Sequence, residues 1–362
     1  MIGAILKVGI CTGGGDCPGL NAIIRAFVKH GASNLGLEII GIKDSFNGLM
    51  SRPYEITTLS EQSVSEILFK GGTILGTTNN GNPFSLKEYP KSQKLADKSQ
   101  YVLEAYKDLG LSALVVIGGD GTQGIAYQLS QLGINIIGIP KTIDNDLAAT
   151  DQTVGFDTAV QVAAEAAFRL QSTAESHQRV MILEVMGRGA GHLALHSGIA
   201  GGAHIILLPE IPFKLDSIAK KIRQRQEQGK RYSVIVVAEG AIQAGQEEVY
   251  AETPEGKKNL GGIGRILGSK IFDLLGLETR VTALGHTQRG GTPSPVDRIL
   301  GTAYGVAAAT MAKKMEYGRI VSFKGGAFTT IDYKSVAGRF RPVDQHDPIL
   351  KAAESIGICL GR

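Results

Sequence analysis

Two aspartates and a lysine follow one of the most apolar segments of the sequence. The run INIIGIP is followed directly by KTIDND, which places Lys141, Asp144 and Asp146 at the end of a predicted strand. Two carboxylates two residues apart on an extended segment point to opposite sides of it. One suits a metal ion and the other suits a proton-accepting role, a division of labour that phosphoryl transfer requires. The same residues also suit an ordinary turn, because Asp and Asn favour turns.

Two glycine-rich segments offer places for phosphate groups. CTGGGDCPGLN, residues 11–21, puts three glycines before an aspartate and a helix start, so the backbone can approach an anion closely. GGDGT, residues 118–122, carries Asp120, and Mg2+ is held in proteins by one or two carboxylates together with substrate phosphates. Neither segment matches G-x-G-x-x-G or the Walker motif, so those nucleotide-binding folds are not indicated.

The second half of the chain contributes cationic side chains near the ends of apolar segments. Guanidinium groups bind phosphate through paired hydrogen bonds. Taken singly, such side chains more often form surface salt bridges or are solvated. Their joint occurrence at predicted strand ends favours an anion site. The side chains are those of Arg179, Arg188, Arg280, His286 and Arg289.

An alternation of strands and helices must position these segments. Short β-branched runs such as SALVVIGG and YSVIVVAEG alternate with amphipathic runs such as KLDSIAKKIRQRQEQGK. Continuous apolar strands between helices predict a mostly parallel sheet that helices cover on both faces. Such α/β sheets bind their ligands beyond the carboxyl ends of the strands. The polar residues after INIIGIP therefore lie where this architecture places function.

Length and composition set further bounds. A chain of 362 residues predicts two domains. The net charge of +4, without a Lys/Arg-rich run, argues against nucleic acid. Three cysteines form neither a metal pattern nor an even disulfide framework, which favours a reduced, cytoplasmic setting. MIGAILKVGI is interpreted as a first strand rather than a signal peptide, and no membrane span is expected.

A set of motifs, in this order and spacing, resembles the 6-phosphofructokinase family over about residues 7–310. The motifs are GGGDCPGLNAIIR, GGTILGT, VVIGGDGT, PKTIDND, VGFDTA, SHQR, EVMGRGAG and LGHTQRGG. The resemblance implies an α/β fold of two Rossmann-like, three-layer domains with mostly parallel sheets and an active site in the cleft between them. A nucleotide-binding domain would comprise residues 1–155 and 288–338. A sugar-phosphate-binding domain would comprise residues 156–287 and 339–362.

The family resemblance also implies an activity, the phosphorylation of the 1-hydroxyl of fructose 6-phosphate by ATP with Mg2+. By this similarity Asp144 is the general base, and Thr142, Arg188 and Lys141 complete the catalytic group. Asp120 and Asp146 would be the Mg2+ ligands. The nucleotide would contact Gly15, Gly119, Asp120, Gly121 and Thr122. The sugar phosphate would contact Thr142, Asp144, Asp146, Arg179, Met186, Gly187, Arg188, Glu239, Arg280, His286 and Arg289.

Within the family, Arg179 and Arg280 match positions that a neighbouring subunit supplies. The resemblance therefore implies a homo-oligomer, expected to be a tetramer with shared active sites. The expected partners are fructose 6-phosphate and ATP, with neither nucleic acid nor membrane.

The phosphoryl donor is decided by residues around the same motifs. Relatives that use pyrophosphate carry an aspartate after GGD and a lysine before TIDND, whereas this chain has Gly121 and Lys141. An aspartate at position 121 would intrude on the α-phosphate of a nucleotide, and glycine leaves room for it. We therefore expect ATP, with a pyrophosphate-dependent enzyme as the alternative.

A neutral pair, Asn79 and Asn80, stands where many bacterial relatives carry an arginine that touches the phosphates of both substrates. Either Lys141 partly replaces that guanidinium or the activity is lower. The pair is also the support for a second alternative, a catalytically weak regulatory paralogue that binds sugar phosphate. The aspartates and arginines of the motifs argue against it.

Regulation is expected to differ from that of well-studied bacterial relatives, which bind ADP or phosphoenolpyruvate in a basic pocket between subunits. Arg25 and Lys230 match parts of that pocket. Gln171, Gln228 and His204 stand where the relatives carry arginine, lysine and glutamate. Either effectors bind more weakly, or a protonated His204 helps to hold a different anion.

Overall fold

The computed structural model describes residues 5–87, 95–148, 150–252, 258–336 and 338–362. Its strands are β1 (Lys7–Thr12), β2 (Glu38–Ile42), β3 (Ile56–Leu59), β4 (Leu86–Lys87), β5 (Leu95–Ala96), β6 (Ala113–Gly118), β7 (Ile136–Pro140), β8 (Val180–Val185), β9 (Ile205–Leu207), β10 (Ser233–Ala238), β11 (Tyr250–Glu252), β12 (Lys258–Leu260), β13 (Thr279–Ala283), β14 (Arg319–Lys324) and β15 (Ala327–Asp332). Its α-helices are α1 (Leu20–Val28), α2 (Asn47–Met50), α3 (Ser99–Asp108), α4 (Asp120–Gln131), α5 (Phe156–His177), α6 (His192–Ala200), α7 (Leu215–Glu227), α8 (Ile263–Leu275), α9 (Pro295–Lys314) and α10 (Pro348–Ser355).

The chain divides into two compact units, each built from separate stretches of sequence. The first unit comprises Met1–Thr142, Leu147–Asp157 and Arg289–Phe340. The second comprises Ile143–Asp146, Thr158–Gln288 and Arg341–Arg362. The turn that carries Asp144 and Asp146 thus groups with the second unit, whereas the sequence placed it in the first domain. The ligand assigned to each unit stays a prediction.

A sheet with strand order β15-β14-β7-β6-β1-β2-β3 forms the centre of the first unit. The strands from β14 to β2 run parallel, and only the outer pairs β14–β15 and β2–β3 are antiparallel. β6 and β7 are buried along their whole length. Such complete burial is typical of parallel strands that are covered on both faces, as their unbroken apolar runs predict.

Helices α1 and α9 pack closely in the first unit because α9 carries two glycines four residues apart. A Cβ atom at Gly305 would lie 2.4 Å from the carbonyl oxygen of Ile23, and one at Gly301 would lie 3.1 Å from that of Gly19. α9 begins with Pro295 at its first turn, and the Ser294 hydroxyl accepts the N–H of Asp297 as an N-cap. Local sequence signals therefore start this helix, and its glycines allow the close approach.

The second unit contains a smaller, fully parallel sheet with strand order β13-β8-β10-β9. The inner strands β8 and β10 are buried throughout. One apolar cluster includes Leu183, Ala194 and Leu360, and another includes Ile182, Val237 and Leu267. The carboxyl ends of β8, β10 and β13 meet at one edge, since neighbouring parallel strands share their direction.

None of the helices in the described ranges combines the length and apolar character that crossing a membrane requires.

Candidate active site

In the first unit, the segments that follow β1, β6 and β7 meet at the carboxyl edge of the sheet. The N–H of Gly13 donates to the carbonyl of Ile117 at 2.9 Å, and the N–H of Lys141 donates to that of Gly118 at 3.1 Å. The buried Thr122 side chain fills the space beneath both turns, because a Cβ at Gly13 or Gly118 would approach it to 2.6 or 2.4 Å. Packing against Thr122 therefore requires glycine at both positions.

Lys141 ties the glycine turn to the end of β7. The side chain is 3% exposed. Its ammonium group donates to the carbonyl of Gly13 at 3.0 Å and to the carbonyl of Gly15. These bonds fix two carbonyls of the turn on the side of the lysine. The catalytic role expected for Lys141 stays a prediction, and the structure adds a positioning role.

The start of α4 presents an open surface for an anion. Asp120 is the first residue of this helix, and Gly119 precedes it as an N-cap without a side-chain hydrogen bond. A Cβ atom at Gly121 would have no heavy atom within 4 Å apart from its chain neighbours and the backbone of its own helix. The first N–H groups of a helix have no intrahelical partner and attract phosphate. The predicted nucleotide contacts Gly119, Gly121 and Thr122 thus lie on one helix N-terminus.

Asn79 lies beside the glycine turn. A Cβ atom at Gly14, which has φ of +76°, would be 3.9 Å from Asn79 Oδ1. The N–H of Gly14 donates to the carbonyl of Thr78, and the Thr77 hydroxyl donates to the carbonyl of Gly14. The segment that carries the neutral Asn79 is therefore held against the turn by two hydrogen bonds, one between backbone groups and one from the Thr77 side chain.

Arg289 also belongs to the first unit and lies against the glycine turn. Its Nη1 donates to the carbonyl of Asp16 at 3.1 Å, and a Cβ atom at Gly15 would lie 2.6 Å from the same nitrogen. The glycine at position 15 thus makes room for the guanidinium. The role expected for Arg289, holding a sugar 6-phosphate, stays a prediction.

The turn at Ile143–Asp146 is not extended, which corrects the sequence interpretation. Asn145 has φ of +53°, a left-handed conformation that Asn adopts more readily than most residues. The argument from an extended segment, with Asp144 and Asp146 on opposite sides, is therefore wrong. Both side chains are buried, with exposures of 4% and 8%. Thr142, just before this turn, accepts a hydrogen bond from Thr153 through its carbonyl.

In the second unit, the loops after β8 and β10 meet closely. The N–H of Arg188 donates to Glu239 Oε1 at 3.1 Å. Arg188 has φ of +51° and Gly187 has φ of +142°, where a Cβ atom would lie 2.6 Å from the carbonyl oxygen of Ala190. A Cβ atom at Gly240 would lie 2.1 Å from the carbonyl oxygen of Arg188. Glycines thus let the two loops place Met186, Arg188 and Glu239 at one edge.

Burial raises the pKa of Glu239 to about 7. The N–H of Arg188 opposes this shift, and the nearby charge of Asp144 adds to it. Glu239 therefore lies close enough to Asp144, the predicted base, for the two charges to interact.

We predict that Glu239→Gln changes the pH dependence of stability. Between pH 4.5 and 7 the folded parent binds more protons than the unfolded chain, so its stability falls as the pH rises through this window. Glutamine does not titrate. The stability of the variant relative to the parent should therefore increase by about 1–3 kcal/mol between about pH 5 and about pH 8. Thermal melting of both proteins at the two pH values measures this, and a difference that is constant or shrinks contradicts it.

Gln288 makes contacts that the sequence alone does not predict. It is fully buried, its Oε1 accepts the N–H of Met186 at 3.3 Å, and its Nε2 donates to the carbonyl of Gly285 at 2.9 Å. The side chain thus joins the loop after β8 to the turn that carries the exposed His286. The one sequence feature that could indicate a role for Gln288 is its position within the LGHTQRGG motif, because a single amide in a loop gives no periodic pattern.

Arg179 and Arg280 are not brought to this edge. Arg179 precedes β8, and Arg280 pairs in register with Met181 near the amino ends of the strands. Both guanidinium groups form ion pairs with Glu278, that of Arg179 at 2.5 Å. The two arginines therefore lie together at the opposite edge of the sheet from Arg188 and Glu239.

Within the described ranges, no group of three or more His, Cys, Asp or Glu side chains is placed to bind a metal ion by itself. Mg2+ needs fewer protein ligands, because it keeps several waters and binds phosphate oxygens of the substrate. The carboxylate of Asp120, beside the open N-terminus of α4, fits such a shared site.

His204 lies in the second unit, away from the carboxyl edge, and is held in a neutral form. Its Nδ1 accepts the N–H of Val234 at 2.9 Å, and its ring packs edge-on against Tyr232. Burial, with smaller effects of Arg225 and Lys221, lowers the pKa of His204 to about 4. The expectation that a protonated His204 binds an anion is therefore wrong near neutral pH, and only Nε2–H remains as a donor.

The sequence of the chain is similar to proteins of one family along nearly its whole length. The phosphofructokinase family model matches residues 7–312. An ATP-dependent 6-phosphofructokinase of Chloroflexus aurantiacus is 49% identical over 358 residues, which cover 98% of each chain. An ATP-dependent 6-phosphofructokinase 1 of Synechocystis sp. is 44% identical over 362 residues, which cover 99% of each chain.

Solved structures with the same fold include a pyrophosphate-dependent phosphofructokinase from Marinobacter aquaeolei. It matches with a TM-score of 0.79 and 21% identity, over 99% of this chain and 93% of that one. Phosphofructokinase from Saccharomyces cerevisiae matches with a TM-score of 0.77 and 28% identity, over 91% of this chain and 45% of that one. The expected α/β fold with mostly parallel sheets is confirmed.

Proposed function

Because the chain belongs to the phosphofructokinase family, we propose that it transfers the γ-phosphoryl group of ATP to the 1-hydroxyl of fructose 6-phosphate. The products are fructose 1,6-bisphosphate and ADP, a step of glycolysis. The observation that carries this proposal is the open helix N-terminus at Gly121, beside a glycine turn that Lys141 holds in place.

The protein groups supply positioning, charge and one proton acceptor. Asp144 takes the proton of the attacking 1-hydroxyl as the sugar oxygen bonds to phosphorus, and the bond from phosphorus to the β,γ-bridging oxygen breaks. Thr142, Lys141 and Arg188 orient and stabilise the transferring group. The N–H groups of Gly13 and Gly14 are bonded within the protein, so the other phosphates would be held by N–H groups that follow Gly14 and by those at the α4 N-terminus.

Mg2+ would be held by Asp120 and Asp146 together with phosphate oxygens, and when bound it would neutralise charge on the transferring phosphates. Asp120 stands at the start of α4 and Asp146 is buried in the turn after Thr142. Both carboxylates are of the ligand class that Mg2+ prefers.

ATP is favoured over pyrophosphate by Gly121. The space around its backbone would accept the α-phosphate of a nucleotide, a group that pyrophosphate lacks. The two sequence relatives from Chloroflexus aurantiacus and Synechocystis sp., at 49% and 44% identity, are named ATP-dependent 6-phosphofructokinases. An inactive regulatory paralogue is disfavoured, because Asp120, Asp144 and Arg188 are all present.

The sugar phosphate would contact Met186, Gly187, Arg188, Glu239 and His286, with Arg289 on the 6-phosphate. Arg179 and Arg280 face the opposite edge of their sheet, so they suit the active site of a second copy. We propose a homo-oligomer, a tetramer by family analogy, in which each copy lends these arginines to a neighbour.

We place the activity in the cytoplasm. Cys11 and Cys17 are free and buried, and burial raises the pKa of each thiol to about 12. Such thiols resist oxidation. Free cysteines are typical of proteins in a reducing compartment.

The proposal is tested by measuring ADP release with Mg2+ and a panel of sugar phosphates. Fructose 6-phosphate should support turnover well above that with glucose 6-phosphate. It should also exceed turnover with fructose 1-phosphate, because the 1-hydroxyl of that sugar is blocked. ADP release that does not depend on fructose 6-phosphate would contradict the proposal.

We also expect weak or absent activation by ADP. Neutral glutamines at positions 171 and 228 remove two cationic contacts, each worth about 1.5–3 kcal/mol, so affinity should fall by a factor on the order of 100 or more. The side-chain amide of Gln171 already forms a hydrogen bond within the protein, since its Nε2 donates to the carbonyl of Gly201 at 2.7 Å. Titrating ADP and phosphoenolpyruvate at sub-saturating fructose 6-phosphate measures this. Micromolar responses to both effectors would show that the pocket is intact.

A further inference from the structure

The C-terminal segment of the second unit contacts the turn that carries Asp144 and Asp146. The backbone N–H of Arg341 donates to the carbonyl of Asp146 at 2.8 Å. The guanidinium of Arg341 donates to the carbonyl of Asn145 through Nε at 3.2 Å and Nη2 at 2.6 Å. Three hydrogen bonds therefore join one residue to two consecutive carbonyls of the turn.

These contacts fall at the point where the turn departs from regular backbone. Asn145 adopts φ of +53°, so its carbonyl does not lie in a strand or helix ladder. Rotation of the peptide between Asn145 and Asp146 would redirect the backbone on which both neighbouring carboxylates stand. Two donors in one planar group oppose that rotation more strongly than a single donor, because they fix the direction of the carbonyl.

Arg341 is itself held in place. His192 Nε2 lies 3.1 Å from the carbonyl oxygen of Arg341. Glu210 Oε1 accepts the N–H of Val343 at 2.7 Å and the N–H of Gly191 at 2.9 Å. The start of α6 is thus joined to Arg341 directly through His192 and to Val343 through Glu210.

We propose that Arg341 is a positioning residue that holds the Asn145 peptide so that Asp144 and Asp146 keep their catalytic directions. The inference rests on the proposed function for its kinetic consequence. Its structural part, the restraint of residues 143–146, is independent of any activity.

The test uses Arg341→Lys, which retains the charge and removes the planar pair of donors. We expect kcat for fructose 6-phosphate and ATP to fall by about 10- to 100-fold, while the KM values and the calorimetric affinity for fructose 6-phosphate stay unchanged. Arg339→Lys is the matched control, since that side chain is exposed two residues earlier. Hydrogen exchange of the amides of residues 143–148 should become faster in the Arg341 variant and not in the control.

If Arg341 had a purely structural role, Arg341→Lys would lower the melting temperature and leave kcat per folded enzyme and the hydrogen exchange of residues 143–148 unchanged. That result would overturn the proposal. If the parent is inactive, the proposed function fails, and hydrogen exchange still decides on the restraint. If Arg341→Lys does not fold, His192→Leu is compared with His192→Gln. The leucine variant alone should lose kcat and protection of residues 143–148, and equal behaviour of the two contradicts the proposal.

Discussion

Asp144→Asn is expected to lower kcat by about 100- to 10,000-fold, because asparagine retains the shape of the side chain and lacks the proton acceptor. Asp144 is 4% exposed, so water does not readily take over its role. Its charge also contributes to the raised pKa of Glu239. The variant should therefore lower the pKa of Glu239, a second effect that NMR titration of that carboxyl can follow.

Steady-state kinetics and equilibrium binding of fructose 6-phosphate separate this effect from misfolding. Binding should be largely retained while turnover is lost. Asp151→Asn is the control, since Asp151 is exposed and accepts the N–H of Gly325 at 2.8 Å, a bond that an asparagine oxygen can also accept. Turnover of the Asp144 variant within a few-fold of the parent would show that another group is the base.

Gly121→Asp should selectively damage the use of ATP. The position is exposed, and a Cβ atom there would meet no heavy atom within 4 Å beyond its chain neighbours and its own helix backbone, so the new side chain fits the fold. Its carboxylate would stand at the proposed place of the α-phosphate. Like charges in close contact cost several kcal/mol, so kcat/KM for ATP should fall on the order of 100-fold or more.

Pyrophosphate has no group at that place, and any activity that the parent has with it should persist. Two controls separate charge from bulk and from helix effects. Gly121→Ala adds only a methyl group, and Gly124→Asp puts a carboxylate at another open position of α4. Both should retain ATP use. Equal losses with both donors, or a large loss in Gly124→Asp, would contradict the assignment.

Much of the fold could be predicted because its signals are local. β6 and β7 are continuous apolar runs, and each ends in polar residues where the strand ends in the structure. Parallel α/β sheets bind ligands at the carboxyl ends of their strands. This rule predicts that the segments near Gly13, Asp120 and Lys141 lie at one edge of the sheet. Asn145 shows the limit, because a single left-handed residue interrupts the backbone without a change in composition.

Contacts between distant parts of the chain could not be predicted from local patterns. The catalytic role of Lys141 stays a prediction, and no local pattern shows that its buried ammonium group contacts carbonyls of the glycine turn more than 120 residues earlier. Arg341 lies in no recognisable motif. Its proposed positioning role rests on hydrogen bonds to a turn 196 residues away in sequence. The position of Arg179 and Arg280 at the far edge follows from strand register, which apolar periodicity alone leaves open.

The central claim, transfer from ATP to the 1-hydroxyl of fructose 6-phosphate, is tested most directly by identifying the product. Purified protein would be incubated with fructose 6-phosphate, Mg2+ and either ATP or pyrophosphate, and each mixture followed by phosphorus NMR. We predict that ATP yields fructose 1,6-bisphosphate and ADP in equal amounts, with much slower or no turnover of pyrophosphate. Formation of the bisphosphate from pyrophosphate and not from ATP would contradict this account, as would phosphorylation at any other hydroxyl.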